Sequence, residues 1–201
     1  MPLRLPEPGT FEHLLRPATV AVTSLVRLSR FPSTEPYWSK AARYRFDDAL
    51  PARSSPFGVC YGATSLETAF AESVLHENAL FEGGRFMVAE TDLRARWQVR
   101  FAHPKKKRLK VADLTGLPLK SLGLNNDLSA GDDYTVSQRW ARAIHDADPT
   151  WDGIRYVSRQ SNKGFAYALF ERTGLTKVAQ DRLDGVELDA LCARFGVVAI
   201  K

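Results

Sequence analysis

Two cysteines in 201 residues are too few for a disulfide framework, and Cys60 and Cys192 stand too far apart for a metal-ligand or redox pair. That scarcity predicts a reducing compartment, with both thiols serving as small buried hydrophobes. The four histidines, His13, His76, His103 and His145, have no ligand partner at helical or hairpin spacing, so no metal site is expected. No P-loop, G-x-G-x-x-G or G-x-S-x-G segment occurs, which removes most nucleotide-hydrolysing and serine-hydrolase chemistries. No apolar run nears the roughly 18 to 20 residues that a membrane helix needs. Residues 1–6 also lack the apolar stretch of a secretory signal, so the expected location is the cytoplasm, away from membranes. Internal repeats and low-complexity tracts are missing as well.

What is present is the composition of a globular domain, 44% hydrophobic and 25% charged. The expected organisation is a single domain over 1–201, with about 1–19 as an irregular, proline-punctuated arm. A chain of this size buries enough surface to need no metal or disulfide staple. Lys and Arg total 28 against 23 Asp and Glu, a net charge of +5, and 19 of those cations are Arg. Guanidinium groups fork onto phosphate oxygens, so an Arg-heavy surplus points to a phosphate-bearing partner. The dense run Lys105-Lys106-Lys107-Arg108 has no interleaved aromatics and reads as a solvated loop rather than a nucleic-acid surface.

Hydrophobic patterning places the elements. Val20 to Arg30 alternates as one strand, with Val26 and Leu28 on one face and Leu25, Arg27 and Ser29 on the other. A long loop follows to Pro56, with Asp47-Asp48 and Ser54-Ser55 within it. Phe57 to Ala63 is a second strand, whose Gly58, Cys60 and Gly62 face is bare enough for a ligand to approach. Thr64 to Glu77 reads as a helix, with a Thr64-x-x-Glu67 capping box and an inward stripe of Leu66, Ala69, Phe70, Ser73 and Val74. Glu72 falls off that stripe. Strands are expected at 85–91, 97–102, 109–114, 154–159, 165–170 and 197–200, a loop over 117–133, and a helix over 135–146 capped by Thr135 and Gln138. Many short strands with two or three helices imply an α+β fold, not alternating βαβ units.

Polar residues on these elements, Arg27, Arg45, Tyr61, Glu72, Ser158 and Arg159, are the candidates for chemistry. By pattern alone each is better explained as a surface, core or edge residue.

Their order is similar to that of a known family. Leu25-Val26-Arg27, Arg43-Tyr44-Arg45-Phe46-Asp47-Asp48, the stretch from Phe57 to Glu72 and Asp152 to Arg159 resemble the RES domain, named for its characteristic Arg, Glu and Ser residues. The resemblance spans roughly Val20 to Ile200. It implies a fold like that of the ADP-ribosyltransferases, a split β core of mostly antiparallel strands with flanking helices. It further implies a toxin of a bacterial type II toxin–antitoxin pair with an Xre-like antitoxin as partner. The implied activity is NAD+ phosphorylase or glycohydrolase, cleaving the nicotinamide–ribose bond. NAD+ is then substrate rather than cofactor, with inorganic phosphate a possible co-substrate, and nucleic acid is met only through the antitoxin.

Carried over by position, Arg27, Tyr61 and Glu72 match the catalytic set, while Arg27, Arg43, Arg45, Tyr61, Ser158 and Arg159 match the dinucleotide-binding set. Where the family commonly has Gly-Gly-Arg-Trp, this chain has Arg43-Tyr44-Arg45-Phe46, so the phosphate contact is either Arg43 or Arg45. The roles expected are stabilisation of an oxocarbenium-like ribose by Glu72 and clamping of the pyrophosphate by the arginines. Tyr61 would stack on nicotinamide, and Ser158 would donate to a phosphate or ribose oxygen. Mono-ADP-ribosylation of a protein is the alternative use of such a cleft, and an RNA-binding module is the alternative from another class.

Overall fold

The computed structural model describes residues 3–49, 56–76 and 79–201. Ser54 and Ser55 of the expected loop and the Glu77 end of the expected helix lie outside these. Eight strands form the main sheet: β1 (Pro17–Ala21), β2 (Val26–Ser29), β3 (Val59–Ala63), β6 (Trp97–Ala102), β7 (Arg108–Leu114), β8 (Gly153–Val157), β9 (Phe165–Phe170) and β10 (Thr176–Arg182). Their order is β1-β7-β8-β9-β3-β2-β6-β10. Of these pairings only β7 with β8 is parallel. A smaller sheet joins β4 (Leu80–Glu82), β5 (Arg85–Ala89) and β11 (Val197–Ile200) in the order β11-β5-β4. The expected α+β class with a mostly antiparallel, divided β core is what the chain adopts.

Among the described residues six helices flank the sheets: α1 (Leu66–Phe70), which runs on as a π turn over Ala71–Leu75, α2 (Glu90–Arg94), α3 (Gly116–Ser121), α4 (Asp127–Ala130), α5 (Thr135–Ala147) and α6 (Gly185–Phe195). None among the described residues is long and apolar enough to cross a membrane.

Several local expectations are corrected. The single strand expected over Val20 to Arg30 is two, because a 3-10 turn at Val22–Ser24 breaks it, closed by Ser24 Oγ donating to the Ala21 carbonyl at 2.8 Å. The apolar pattern runs through the turn with the same parity, Val20 and Val22 before it and Val26 and Leu28 after it all being buried, so periodicity alone could not reveal it. The break sends β1 to the sheet edge beside β7 and β2 into the interior between β3 and β6. The expected loop over 117–133 contains α3 and α4, seated by buried Leu119, Leu122, Leu124 and Leu128. Ser65, not Thr64, caps α1, its hydroxyl accepting from Thr68 N–H at 3.1 Å. At α5 the Thr135 N–H donates to Asp133, and Gln138 instead donates to the Ala42 and Tyr44 carbonyls. β10 lies outside the expected strands because it is mostly exposed and has no buried face to alternate.

The period-2 geometry of β3 locates the important gap. Val59 and Tyr61 join a cluster with Phe46, Trp140, Ile144, Tyr156 and Phe170 under α5, whereas Ala63, two residues on, joins Val26, Leu28, Phe70, Val74 and Leu188 under α1 and α6. Cys60, on the opposite face, packs with Leu25, Val99, Phe101 and Leu109. One face of the sheet thus carries two separate cores, and a cavity opens between them.

Candidate active site

The cavity floor is the end of β3, Tyr61 to Ala63, with Leu28 and Ala166 beside it, and its walls carry Arg27, Arg45, Glu72, His76, Tyr134 and Arg159. Segments more than a hundred residues apart in sequence meet here. Gly62 lies in the lining, and a Cβ there would come within 3.3 Å of the Val26 carbonyl. Gly58 does not serve a ligand: its bare face is filled by Trp38, 2.6 Å from where a Cβ would sit, and by the Lys40–Glu171 ion pair.

Glu72 sits in the π turn that extends α1. The Ser158 hydroxyl, just past β8, donates to its Oε1 at 2.6 Å, and the Tyr156 hydroxyl donates to its Oε2 at 3.3 Å. Ser158 is fully buried and also accepts from the Ser161 N–H at 3.0 Å. Its proton is therefore committed to Glu72 and not directed at a ligand. Burial, and then the Glu72 charge, push the Tyr156 phenol well above its ordinary value, so it is a neutral donor at neutral pH.

Arg27 projects from β2. Its Nε donates to Glu35 Oε1 at 2.8 Å and its Nη1 to the Tyr61 carbonyl at 2.9 Å. Burial opposes its charge, but the neighbouring Cys60 and Glu35 more than offset this, and its pKa lies above the ordinary value. Burial pushes the Cys60 thiol up to about 12, so it is no nucleophile.

The segment before β3 divides the two arginines left open by sequence. Arg43 is exposed and lies outside the cavity lining, whereas Arg45 is buried in it. Arg45 Nη1 donates to the carbonyls of Gly131 (2.7 Å) and Leu128 (3.4 Å), and its guanidinium lies 4.5 Å from the centre of the Tyr134 ring. Asp47 organises the backbone of this segment. Its Oδ2 accepts from Ser39 Oγ (2.6 Å), Tyr44 N–H (3.0 Å) and Arg43 N–H (3.1 Å), and its Oδ1 accepts from Tyr61 Oη at 3.0 Å. Tyr61 Oη accepts in turn from Phe46 N–H at 2.9 Å, which leaves the ring as the part of Tyr61 offered to the cavity. Sequence reading assigned Asp47 no role, although an Asp closing a turn through backbone N–H groups is a familiar device.

Arg159 lines the cavity and pairs with Asp132. His76, at the end of the π turn, meets Tyr134 Oη at 3.2 Å through Nε2. Neither His76 nor Tyr134 carried a signal in the sequence, because the contact joins elements 58 residues apart. The run Lys105 to Lys107 is remote from the lining, and Lys106 Nζ pairs with Asp152 at 2.6 Å.

Known proteins share the family and the fold of this chain. The RES domain family matches residues 24–189, most of the chain. No curated protein matches it as a sequence relative. Among solved structures, a chain of the Mycobacterium tuberculosis MbcT–MbcA toxin–antitoxin complex has a similar fold, with a TM-score of 0.65 over 93% of this chain and 98% of that one. Sequence identity is 17%, so the likeness is one of fold.

Proposed function

Since the chain belongs to the RES domain family, we propose that it is the toxin of a toxin–antitoxin pair and acts by cleaving the nicotinamide–ribose bond of NAD+. The observation that carries this reading is Glu72, a carboxylate held by Ser158 and Tyr156 on the wall of a cavity whose other walls bear Arg27, Arg45 and Arg159.

Such a cavity suits the reaction. When the C1–N bond to nicotinamide breaks, its electron pair leaves with the pyridine nitrogen and cancels that ring's positive charge, while positive charge develops on the ribose. A fixed carboxylate stabilises the oxocarbenium-like sugar without having to reorganise. The two hydrogen bonds on Glu72 fix its orientation. Arginines on the walls offset the pyrophosphate charge. The Tyr61 ring, its hydroxyl engaged by Asp47, presents a flat face for the nicotinamide. An acceptor oxygen, from water or phosphate, then bonds to C1 and loses its proton to solvent. Ser158 acts through Glu72 in this scheme rather than on the ligand.

The partner proposed is a protein antitoxin of the Xre-like kind that covers the mouth of the cavity. The fold shared with a chain from a toxin–antitoxin complex supports that reading. The test is incubation of the purified protein with NAD+ labelled in its adenosine half, with and without phosphate. Released nicotinamide with free ADP-ribose or its 1″-phosphate is expected, and Glu72→Gln should lower the rate by about a hundredfold or more. Label retained on protein would replace degradation with ADP-ribosyl transfer, and intact NAD+ would refute the reading.

A further inference from the structure

Five of the chain's six tyrosines, Tyr37, Tyr44, Tyr61, Tyr134 and Tyr156, line the cavity. Tyr156 is bonded to Glu72, and Tyr134 meets His76 and Arg45. Tyr37, 48% exposed, stands at the opening, and the Tyr44 ring meets that of Tyr61 edge to face, 5.8 Å between centres. Arg43 is exposed and outside the lining, yet its guanidinium lies 5.7 Å from the centre of the Tyr44 ring. Its backbone is fixed there, because the Arg43 and Tyr44 N–H groups both donate to Asp47. Among the described residues the Arg43 guanidinium pairs with no carboxylate. The lining itself is one-sided in charge: among the described residues its one carboxylate is Glu72, already engaged by Ser158 and Tyr156.

From the unpaired Arg43 on the Tyr44 ring we propose that the protein also takes NADP+, the dinucleotide with a phosphate on the adenosine 2′-oxygen, and that Arg43 receives this phosphate. Dinucleotide sites that select NAD+ commonly place a carboxylate on the adenosine 2′-hydroxyl, where it repels a 2′-phosphate, whereas those that accept NADP+ place an arginine there. Here the lining offers no such carboxylate, and an arginine waits at the edge. With the nicotinamide at Tyr61 and Glu72, the adenosine end lies toward Tyr37 and Tyr44, and a purine stacked on Tyr44 brings its ribose beside Arg43. A guanidinium can lie on an aromatic ring and still fork onto two phosphate oxygens. The extra phosphate adds about 1.5 to 2 negative charges, which Arg27, Arg45 and Arg159 on the walls favour at longer range. The bond chemistry is that of NAD+: the C1–N bond breaks, its electron pair leaves with nicotinamide, and a water oxygen bonds to C1 and gives its proton to solvent. The products are nicotinamide and 2′-phospho-ADP-ribose. The cleavage and the direction in which the dinucleotide lies rest on the proposed function.

Two measurements on the full chain test this. The first is calorimetry at fixed ionic strength in chloride, comparing adenosine 2′,5′-bisphosphate with AMP, which differ only in the 2′-phosphate. The bisphosphate should bind about fivefold more tightly, and Arg43→Gln should erase that preference, the upper range of an exposed ion pair. Lys107→Gln, an exposed cation away from the lining, should retain it. Equal affinities in the parent protein overturn the proposal, as does a preference that survives Arg43→Gln or is lost equally in Lys107→Gln. The second is the rate of nicotinamide release. NADP+ should be cleaved with kcat/KM at least equal to that for NAD+, and Arg43→Gln should lower the NADP+ to NAD+ ratio by about fivefold. NADP+ left intact while NAD+ is cleaved overturns the proposal and leaves the proposed function standing. A preference for the bisphosphate that depends on Arg43, with both dinucleotides left intact, would refute the proposed function while Arg43 keeps its 2′-phosphate.

Discussion

Ser158 Oγ donates to Glu72 Oε1 across 2.6 Å, joining the end of β8 to the π turn after α1, 86 residues earlier in the chain. Two residues proposed for the site are thus one unit, a carboxylate and the donor that aims it. A hydrogen bond to a charged group contributes about 1.5 to 3 kcal/mol. Ser158→Ala should therefore lower kcat for NAD+ cleavage by about 10- to 100-fold. The KM for NAD+ should stay nearly constant, because Ser158 does not line the cavity. Steady-state kinetics of nicotinamide release decide the matter. A raised KM with unchanged kcat would mean that Ser158 binds the ligand itself.

The Arg27–Glu35 pair makes stability depend on pH. Burial by itself would raise the Glu35 pKa, but the Arg27 guanidinium, aided by the Ser29 hydroxyl and the Tyr37 N–H, outweighs it and holds the carboxyl below its ordinary 4.5. A depressed folded-state pKa gives stability that is fully present above the unfolded value and lost as pH falls through the folded one. Denaturant midpoints should accordingly drop between about pH 5 and pH 3, and drop less in Glu35→Gln. At pH 7 that variant should be less stable by about 2 to 3 kcal/mol, short of a fully buried pair's cost because Arg27 is 21% exposed.

Tyr61 separates ring from hydroxyl. Its Oη both donates to Asp47 and accepts from the Phe46 N–H. Tyr61→Phe leaves those two buried groups short of a partner and should cost about 1 to 3 kcal/mol in thermal or denaturant unfolding. The ring face remains, so KM for NAD+ should change by no more than about threefold. Tyr61→Ala should raise it far more. Equal loss of binding in both variants would show that the hydroxyl, not the ring, contacts the ligand.

How far the sequence reveals this site depends on whether a signal is local. The strand Val59–Ala63, the helix after it and the position of Glu72 off the apolar stripe are all written in a single run of residues, and period-2 and helical spacing reveal them. Arg45 and Arg43 stand two residues apart with the same chemistry. Only the turn closed by Asp47, and the packing of α4 and α5 beside it, bury one and expose the other. The duty of Ser158, the pairing of His76 with Tyr134 and the bare face of Gly58 depend on elements distant in sequence, which no local pattern encodes. The β1–β2 break is hidden for a different reason: the apolar residues on either side of the 3-10 turn, Val20 and Val22, then Val26 and Leu28, keep the parity of a continuous strand.

Gly164 offers a test of how the loop after β8 sets the site. Its N–H donates to the Ser161 carbonyl and its own carbonyl accepts from the Ser158 N–H, so it closes the loop that carries Ser158. A Cβ at this position would fall 2.0 Å from Thr68 Oγ1 and 3.0 Å from Thr68 Cβ and Cγ2, against the first turns of α1. Gly164→Ala must therefore push the loop off α1, at about 1 to 3 kcal/mol, and drag Ser158 away from Glu72. Activity should fall with it, as in Ser158→Ala. Adding Thr68→Ala removes the two side-chain tips and leaves only the 3.0 Å contact with Cβ, so the double variant should recover part of the lost kcat even though Thr68→Ala alone removes a buried hydroxyl. Strictly additive losses in the double variant would mean that the loop and α1 act independently, and that Glu72 is not positioned through this contact.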